Sequence, residues 1–247
     1  MNTDFMPKFS VITVTYNAEE VLERTIDSVI EQSYSQIEYI VIDGASTDNT
    51  SVILDKYRKV IDVLLSEPDD GLYDAMNKGL SRATGDYVLF LNAGDTFFSS
   101  FTLEELVKTF PEGGFPDVIY GNTALVNKVG EFIKMRRLKP PVELTWKSFS
   151  KGMLVCHQAF FVKRELAEPY DLQYRYSSDF DWCIRILKKA SLIHNSNLIL
   201  IRYLEEGLTT KNRKASLMER FRIMAHYYGL PRTLLNHIGF VFRLLFQ

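Results

Sequence analysis

The sequence is poor in cysteine, in net charge and in long apolar runs. Its 247 residues contain two cysteines, Cys156 and Cys183, which are too few for a disulfide framework and are not spaced as metal ligands. The 29 basic and 31 acidic residues give a formal net charge of -2, which argues against wholesale nucleic-acid binding. Residues 1–8 hold no long apolar core. We therefore expect no signal peptide and a protein of the reducing cytoplasm.

Glycine is also missing where two common nucleotide-binding motifs would need it. The first apolar segment, 9–15, runs directly into Tyr16-Asn17-Ala18. A dinucleotide-binding oxidoreductase would carry Gly-x-Gly-x-x-Gly at this point, and a sugar nucleotidyltransferase would carry a basic, glycine-rich loop. The lack of both motifs argues against these two classes of enzyme. No apolar run reaches the ~20 residues needed to span a bilayer.

Short β-branched segments alternate with helical patterns along the chain. The predicted strands are 9–15, 39–42, 63–65, 87–91, 118–120, 159–162 and 198–203. Helices are predicted between the first four of these strands and again at 103–110 and 180–189. This order predicts an α/β, Rossmann-like fold with a mainly parallel central sheet and helices on both faces.

Polar clusters follow four of the predicted strands, and in parallel sheets such strand ends form one rim that binds ligands. These clusters are Tyr16-Asn17, Asp43-Gly44, 67–71 and 92–95. Tyr16 suits stacking on a base, Asp43 suits accepting from a base N–H, and Asp95 suits a divalent cation between two phosphates. Each residue also has a plain structural reading, as a packing, turn or cap residue. Their agreement at successive strand ends favours a nucleoside-diphosphate site.

In combination, these motifs resemble the family 2 glycosyltransferases of GT-A fold, and most of all the bacterial branch that builds surface polysaccharides. The matching segments are 14–17, 43–48, 69–79, 83–86 and 91–95. The resemblance covers about residues 7–100 strongly and 150–210 more loosely. It implies an inverting transfer of a sugar from a nucleoside-diphosphate sugar, with a UDP-sugar favoured, to an acceptor hydroxyl.

The resemblance also implies a donor site and a metal. The donor residues it implies are Thr15, Tyr16, Asn17, Asp43, Asp70, Gly71, Asp74, Lys78, Asn92 and Ala93. Asp95 falls in the Asp-x-Asp element that holds Mg²⁺ or Mn²⁺, but the element reads Asn-Ala-Gly-Asp here, with one carboxylate where many relatives have more. One carboxylate suffices when phosphates and water supply the other ligands. We therefore expect weak metal binding without donor.

On the acceptor side, the segment 177–182 resembles the one that carries the family's general base. An inverting transfer needs one carboxylate to take the proton from the attacking hydroxyl. We assign this role to Asp179 and keep Asp181 as the alternative, although acids also favour any helix N-terminus. His157 and Gln158 resemble a position that lines the acceptor or donor sugar. The segment 205–210 loosely resembles a loop that closes over the donor.

The C-terminal segment is basic and apolar. Residues 207–247 carry seven basic residues against one acidic residue, on two predicted helical patterns. Such amphipathic helices suit an anionic membrane surface, whereas packing on the domain or on a second subunit is the alternative. We expect a domain over 1–210, with 1–100 on the donor side and 101–210 on the acceptor side, followed by the basic helices at 211–247.

These expectations together define the partners and the competing function. The expected partners are a nucleotide-sugar donor and a saccharide acceptor, and nucleic acid is not among them. If the C-terminal helices bind membrane, we expect the acceptor to be lipid-linked. If they do not, we expect them to contact a second subunit. The expected location is the cytoplasm, at the inner face of its membrane. The competing function is a degenerate domain that binds nucleotide sugar and scaffolds an assembly complex.

Overall fold

The computed structural model describes residues 6–112, 114–205 and 212–245. The strands in these ranges are β1 (Phe9–Thr15), β2 (Ile37–Asp43), β3 (Val63–Ser66), β4 (Tyr87–Phe90), β5 (Thr96–Phe97), β6 (Val118–Val126), β7 (Phe132–Met135), β8 (Phe160–Lys163) and β9 (Ile193–Leu204). The α-helices are α1 (Leu22–Ile30), α2 (Thr50–Lys56), α3 (Leu72–Leu80), α4 (Thr102–Lys108), α5 (Ser178–Lys189), α6 (Arg213–Tyr228) and α7 (Leu230–Leu245). Short 3₁₀ helices lie at Trp146–Lys151, His157–Ala159 and Arg164–Leu166.

The described strands form one sheet in the order β3-β2-β1-β4-β8-β6-β9-β5, with β7 paired to β6. Strands β1 to β4 run parallel to one another. Strand β8 is antiparallel to both β4 and β6, whereas β6 and β9 are parallel. The α/β, Rossmann-like prediction is confirmed. The parallel half of the sheet, β1 to β4, has the polar clusters at its strand ends. The other half of the sheet contains both parallel and antiparallel pairs.

Strand β1 is buried along its whole length because both faces of the sheet are covered. Ile12 and Val14 pack into the core on the face of α3 and α5, whereas Phe9 and Val11 pack into the core on the face of α1. Helix α3 approaches β1 closely, since a Cβ at Gly79 would lie 2.5 Å from Cγ2 of Ile12. This close approach fixes where α3 presents its first turn at the rim.

The C-terminal helices α6 and α7 form a hairpin that packs on the domain beside α5. Glu219 of α6 accepts the backbone N–H groups of Arg175 and Tyr176, at 3.0 and 2.8 Å. Asn236 of α7 donates to the carbonyl of Ser150 at 2.9 Å. Among the described residues, no helix combines the length and the apolar character that crossing a bilayer requires. The predicted loop at 205–210 lies outside the described residues from position 206 onward.

Candidate functional site

The carboxyl ends of the parallel strands meet at one edge of the sheet. Thr15 at the end of β1 pairs with Asp43 at the end of β2, and Asp43 pairs in turn with Ser66 at the end of β3. Strand β4 lies on the other side of β1 and leads into the 92–95 turn. The sequence therefore brings the four predicted polar clusters to one rim.

Tyr16 presents its ring at this rim, with 63% of the residue exposed. The next residue, Asn17, holds the turn at a positive φ of 48°, a conformation that asparagine tolerates better than most residues. Its side-chain oxygen accepts the N–H of Thr47 at 2.8 Å, and its own N–H donates to Oγ of Ser46 at 2.8 Å. Asn17 therefore supports the turn, which leaves the Tyr16 ring available for stacking.

Asp43 is enclosed at the end of β2 and is only 1% exposed. The backbone N–H and the hydroxyl of Ser46 both donate to its carboxylate, and the hydroxyl of Ser66 donates to Oδ2 at 2.6 Å. These donors come from the β2 turn itself and from the neighbouring strand. A carboxylate has about four acceptor positions, so these bonds do not exclude a base N–H, and the assignment of Asp43 as the reader of the base edge stays a prediction.

A different carboxylate stands beside Tyr16. A Cβ at Gly44 would lie 2.5 Å from Oδ2 of Asp69 and 3.3 Å from Cδ2 of Tyr16, so the carboxylate and the ring edge meet above the bare Gly44 backbone. Oδ1 of Asp69 accepts the N–H of Gly71 at 2.8 Å, which fixes the side chain. Within the described residues, Oδ2 accepts no hydrogen bond. The sequence motif 69–79 includes this loop, but the motif alone does not show that Asp69 is the acid that lies beside the Tyr16 ring.

The other acids of this loop brace it. The N–H of Asp70 donates to Asp74 at 3.2 Å. Lys78 donates to the Pro68 carbonyl at 2.7 Å and forms ion pairs with Glu67 at 3.0 Å and with Asp74 at 3.3 Å. Gly71, at a φ of 115°, lets the loop enter α3. Of the predicted contacts here, Asp74 and Lys78 therefore hold the loop against α3.

In the 92–95 turn, Asp95 is enclosed and only 3% exposed. Burial raises the pKa of its carboxyl to about 7. Hydrogen bonds from Gln158 and from the N–H of Leu204, the latter at 2.9 Å, together with the charge of Arg24, oppose that rise. The carboxylate therefore ties the turn to the end of β9.

The turn fits a divalent cation poorly. Asp95 is its only carboxylate, and its oxygens face protein donors instead of open space. Across the described ranges no three His, Cys, Asp or Glu side chains group closely enough to hold a metal ion. A hard cation such as Mg²⁺ needs accessible oxygen ligands. This geometry disfavours the expectation that Asp95 is the metal ligand.

Two buried side-chain oxygens at the rim lack a hydrogen-bond partner within the described chain. They are Oγ1 of Thr15, at the end of β1, and Oδ1 of Asn92, which follows the neighbouring strand β4. Ala93, beside Asn92, donates its N–H to the Val14 carbonyl at 3.3 Å. Native proteins satisfy most buried polar atoms, so unpaired oxygens on adjacent strands mark a place where a ligand can complete the hydrogen bonding.

The two acids at the start of α5 have different surroundings. Asp179 is partly exposed, and its Oδ1 accepts the Tyr73 hydroxyl at 3.0 Å and the Phe180 N–H at 2.9 Å. Asp181 is buried, and it accepts from Arg185 and from the Tyr227 hydroxyl, both at 2.7 Å. Only Asp179 therefore keeps a carboxylate oxygen open for a substrate proton.

His157 belongs to an aromatic cluster behind Asp179. Its Nε2 lies 2.6 Å from the Tyr170 hydroxyl, and its ring stacks on Phe90 at a centroid distance of 5.3 Å. Burial lowers the pKa of His157 to about 4, so the imidazole is neutral at pH 7. Tyr170 stacks in turn on Tyr73 and Trp182, at 5.4 and 4.9 Å. The cluster therefore packs against Tyr73, whose hydroxyl donates to Asp179.

Gln158 and Tyr203 join the two halves of the site. Gln158 accepts the Cys156 S–H at 3.1 Å and bonds to Asp95. Burial raises the pKa of Tyr203, and the charges of Asp95 and Asp179 raise it further. A cavity of about 340 Å³ opens beside Cys156 and is lined in part by Thr123. Gln158, which contacts both Cys156 and Asp95, therefore links the residues beside this cavity to the 92–95 turn at the rim.

Comparison with known proteins identifies the class. Residues 10–170 match the family described as Glycosyl transferase family 2. A PGL/p-HBAD biosynthesis glycosyltransferase of Mycobacterium tuberculosis is 32% identical over 193 residues, which cover 76% of this chain and 72% of that protein. A putative teichuronic acid biosynthesis glycosyltransferase, TuaG, of Bacillus subtilis is 30% identical over 205 residues, which cover 81% of this chain and 80% of that protein. The chain belongs to glycosyl transferase family 2.

Solved structures agree on the fold. Staphylococcus aureus TarS in complex with UDP superposes with a TM-score of 0.68 at 21% identity, covering 88% of this chain and 64% of that one. The mannosyltransferase PcManGT of Pyrobaculum calidifontis, in complex with GDP-Man and Mn²⁺, gives a TM-score of 0.62 at 18% identity, covering 96% of this chain and 75% of that one. At such identities the likeness establishes the fold and no more. The fold is the GT-A fold that the sequence motifs imply.

Proposed function

We propose that this glycosyltransferase moves a sugar from a nucleoside-diphosphate sugar to a saccharide hydroxyl, with inversion at the anomeric carbon. The observation that carries the proposal is the contrast at the start of α5. Asp181 is neutralised by Arg185, whereas Asp179 is held by Tyr73 and keeps an open oxygen toward the cleft. A carboxylate placed in this way is suited to act as a general base.

In the proposed reaction, Asp179 accepts the proton of the acceptor hydroxyl while that oxygen attacks the anomeric carbon. The new glycosidic C–O bond forms as the bond from the anomeric carbon to the diphosphate breaks, and the diphosphate leaves with the electron pair. A single attack of this kind inverts the anomeric configuration. Positioned general bases contribute about 10²–10⁴-fold to such rates.

The base of the donor is proposed to stack on the ring of Tyr16 with its edge toward Asp69. The Tyr16 ring offers a stacking surface, and Oδ2 of Asp69 offers an acceptor beside it. A carboxylate recognises a base that presents a ring N–H, as uracil, thymine and guanine do, whereas adenine and cytosine present a ring acceptor there. This chemistry supports a UDP-sugar as the leading donor and leaves TDP- and GDP-sugars as alternatives.

The polar atoms at the rim are proposed to receive the rest of the donor. Thr15 and Asn92 offer the two unpaired oxygens, which suit the hydroxyl groups of ribose or of the sugar. A divalent cation that arrives with the donor diphosphate would take most of its ligands from phosphates and water. The part of the chain that the structure describes holds no strong cation site, so metal affinity is proposed to depend on bound donor.

The acceptor is proposed to be a growing glycan of the bacterial cell surface. Support comes from the names of the relatives, which place those proteins in the biosynthesis of PGL/p-HBAD and of teichuronic acid. The cavity of about 340 Å³ beside Cys156 is the proposed place for part of this saccharide.

The test is a transfer assay with a panel of nucleotide sugars and soluble saccharide acceptors, with and without Mn²⁺. We expect turnover selective for one nucleotide, and a product whose anomeric configuration, read by NMR, is opposite to that of the donor. Retention of configuration would contradict the single-displacement reaction. Donor binding without turnover across the whole acceptor panel would favour the alternative function, a degenerate domain that binds nucleotide sugar and scaffolds an assembly complex.

A further inference from the structure

Over residues 230–238 of α7, whose side chains the structure describes, the exposed side is largely apolar and the side against the domain is polar. The exposed residues are Leu230, Leu234, Leu235 and Ile238, at 52, 48, 70 and 54%. Their spacing of four, one and three residues places them on one side of the helix. A helix on the surface of a globular domain normally shows the opposite arrangement, with its apolar side against the core.

The inward contacts confirm this inversion. Thr233 is fully buried, and Asn236 donates to the Ser150 carbonyl at 2.9 Å. The His237 ring contacts Phe221 of α6 at a centroid distance of 5.0 Å. Over residues 230–238 the helix is therefore docked on the domain through polar side chains, and Leu230, Leu234 and Leu235 face outward.

The same hairpin is basic. Lys214 and Arg222 of α6 and Arg232 of α7 are exposed, and α6 also exposes Leu217 and Met218, at 50 and 58%. The hairpin's one acidic residue, Glu219, is committed to two backbone N–H groups. Contiguous exposed apolar residues with positive charges around them are typical of an interaction surface and not of a solvated one.

We propose that the outward face of α7, together with the basic residues of the hairpin, docks on the surface of an anionic lipid bilayer. Leucine and isoleucine side chains on a helix that lies in the interface insert among the acyl chains, and Lys and Arg attract anionic head groups. The exposed basic residues Lys214, Arg222 and Arg232 supply the charge complementarity. The surface binds peripherally, since no described helix meets the requirements for crossing the bilayer.

This surface is coupled to the proposed base. The Tyr227 hydroxyl of α6 donates to Asp181 of α5 at 2.7 Å, and Ser216 of α6 lies 3.0 Å from the Ser177 hydroxyl. Helix α5, which carries Asp179 in its first turn, is thereby fixed relative to the docked hairpin. If the proposed transfer holds, on which this step rests, the geometry suits an acceptor saccharide that is anchored in the same bilayer.

The experiment is flotation of the full chain with vesicles of phosphatidylcholine alone or of phosphatidylcholine with 30 mol% phosphatidylglycerol. The test variant is Leu234→Ser, Leu235→Ser and Ile238→Ser combined, which changes only exposed positions. The matched control is Val129→Ser with Val142→Ser, because these valines are 75 and 87% exposed and lie outside the hairpin. A charge variant, Arg222→Gln with Arg232→Gln, separates head-group attraction from insertion.

We expect the wild type to prefer anionic vesicles by about 10-fold or more and to lose part of that binding at 0.5 M salt. The triple serine variant should lose about 10-fold in binding, the charge variant should lose its preference for anionic lipid, and the control should stay within about 2-fold of wild type. Equal binding by wild type and the triple variant would overturn the proposal. So would a dimeric wild type in light scattering that becomes monomeric in the triple variant without vesicle binding, since the occupant would then be a second copy.

Two readouts separate this inference from the proposed transfer. Asp179→Asn should float with vesicles as the wild type does, because Asp179 lies outside the docking face. The triple serine variant should transfer sugar to a water-soluble acceptor at the wild-type rate. Loss of vesicle binding in the triple variant with no transfer by any form would uphold the docking surface and reject the reaction.

Discussion

Tyr73 donates its hydroxyl to Oδ1 of Asp179 across 3.0 Å, although the two residues lie 106 positions apart in the chain. Tyr73 belongs to the first turn of α3, and Asp179 belongs to the first turn of α5. Burial raises the pKa of Tyr73 well above 10, so the phenol remains a donor across the working pH range. The contact joins the donor half of the cleft to the proposed base.

Replacing Tyr73 with Phe should slow transfer without weakening donor binding. The variant keeps the ring that stacks on Tyr170 and removes only the hydroxyl that orients Asp179. One hydrogen bond to a carboxylate contributes about 1.5–3 kcal/mol, which corresponds to roughly 10–100-fold in kcat. The donor KM should stay within about 2-fold in steady-state kinetics, because Tyr73 is not proposed to touch the donor. A variant with wild-type kcat would show that the contact is structural.

Replacing Asp69 with Asn should change the base preference. The amide keeps an oxygen for the Gly71 N–H and presents an N–H₂ donor to the base. Loss of a hydrogen bond between a carboxylate and a ring N–H should weaken UDP binding by roughly 10–100-fold, whereas CDP, which presents a ring acceptor, should not lose affinity. Isothermal titration with UDP, GDP and CDP measures both effects.

The neighbour Asp70 supplies the matched control for this experiment. Asp70 is exposed, and it contacts the loop through its backbone N–H. Asp70→Asn should leave UDP affinity within about 2-fold of wild type, as expected for a change at an exposed position. If Asp69→Asn and Asp70→Asn lost UDP affinity equally, the cause would be the charge of the loop and not recognition of the base by Asp69. A change of base preference in Asp43→Asn, with none in Asp69→Asn, would support Asp43 as the reader of the base edge, as the sequence predicts.

Replacing Asp95 with Asn should alter how stability depends on pH. Its pKa is raised by burial from an ordinary value of 3.8 to about 7, so the folded state holds a proton that the unfolded state has released. The stability that Asp95 confers is therefore present at low pH and is lost as the pH rises through 7. Relative to Asp95→Asn, the wild type should lose up to about 4 kcal/mol of unfolding free energy between pH 4 and pH 8. Urea unfolding of both proteins at matched pH measures the difference.

The same variant tests the metal assignment. If Asp95 only anchors the turn to Leu204, Asp95→Asn keeps that acceptor, and the thermal shift caused by donor with Mn²⁺ should survive. Loss of the Mn²⁺-dependent part of the shift, with the Mn²⁺-independent part unchanged, would identify Asp95 as a metal ligand after all.

Local pattern was enough to predict the parallel half of the fold. The β-branched runs at 39–42 and 87–91 became β2 and β4 with ends shifted by two residues or fewer. Strand β5 has two residues, and β7 is exposed at all four positions. Neither strand therefore has an alternation of buried and exposed residues that could be recognised in the sequence. Strand β9 begins at Ile193, earlier than predicted, because its first residues are polar and gain their place by pairing with β6.

The site was predictable in its location and less so in its roles. Parallel strand ends bring Tyr16 and the 92–95 turn to one rim, and that follows from the order of elements. The sequence also limited the base to two acids separated by one residue. It ranked Asp179 first, and the hydrogen bonds from Arg185 of α5 and from Tyr227 of α6 to Asp181 support that ranking through contacts that only the fold creates. The hydrogen bond from Ser66 to Asp43 likewise comes from a neighbouring strand.

The most direct measurement compares Asp179→Asn with Asp181→Asn in pre-steady-state transfer, with donor affinity measured by titration on the same preparations. The account predicts that Asp179→Asn binds donor within about 2-fold of wild type and loses about 10²–10⁴-fold in the rate of transfer. It predicts that Asp181→Asn lowers thermal stability, because Arg185 loses the buried one of its two charged partners, while the properly folded fraction transfers at a rate near wild type. Rapid transfer by Asp179→Asn, or its loss in folded Asp181→Asn alone, would contradict the assignment of Asp179 as the base.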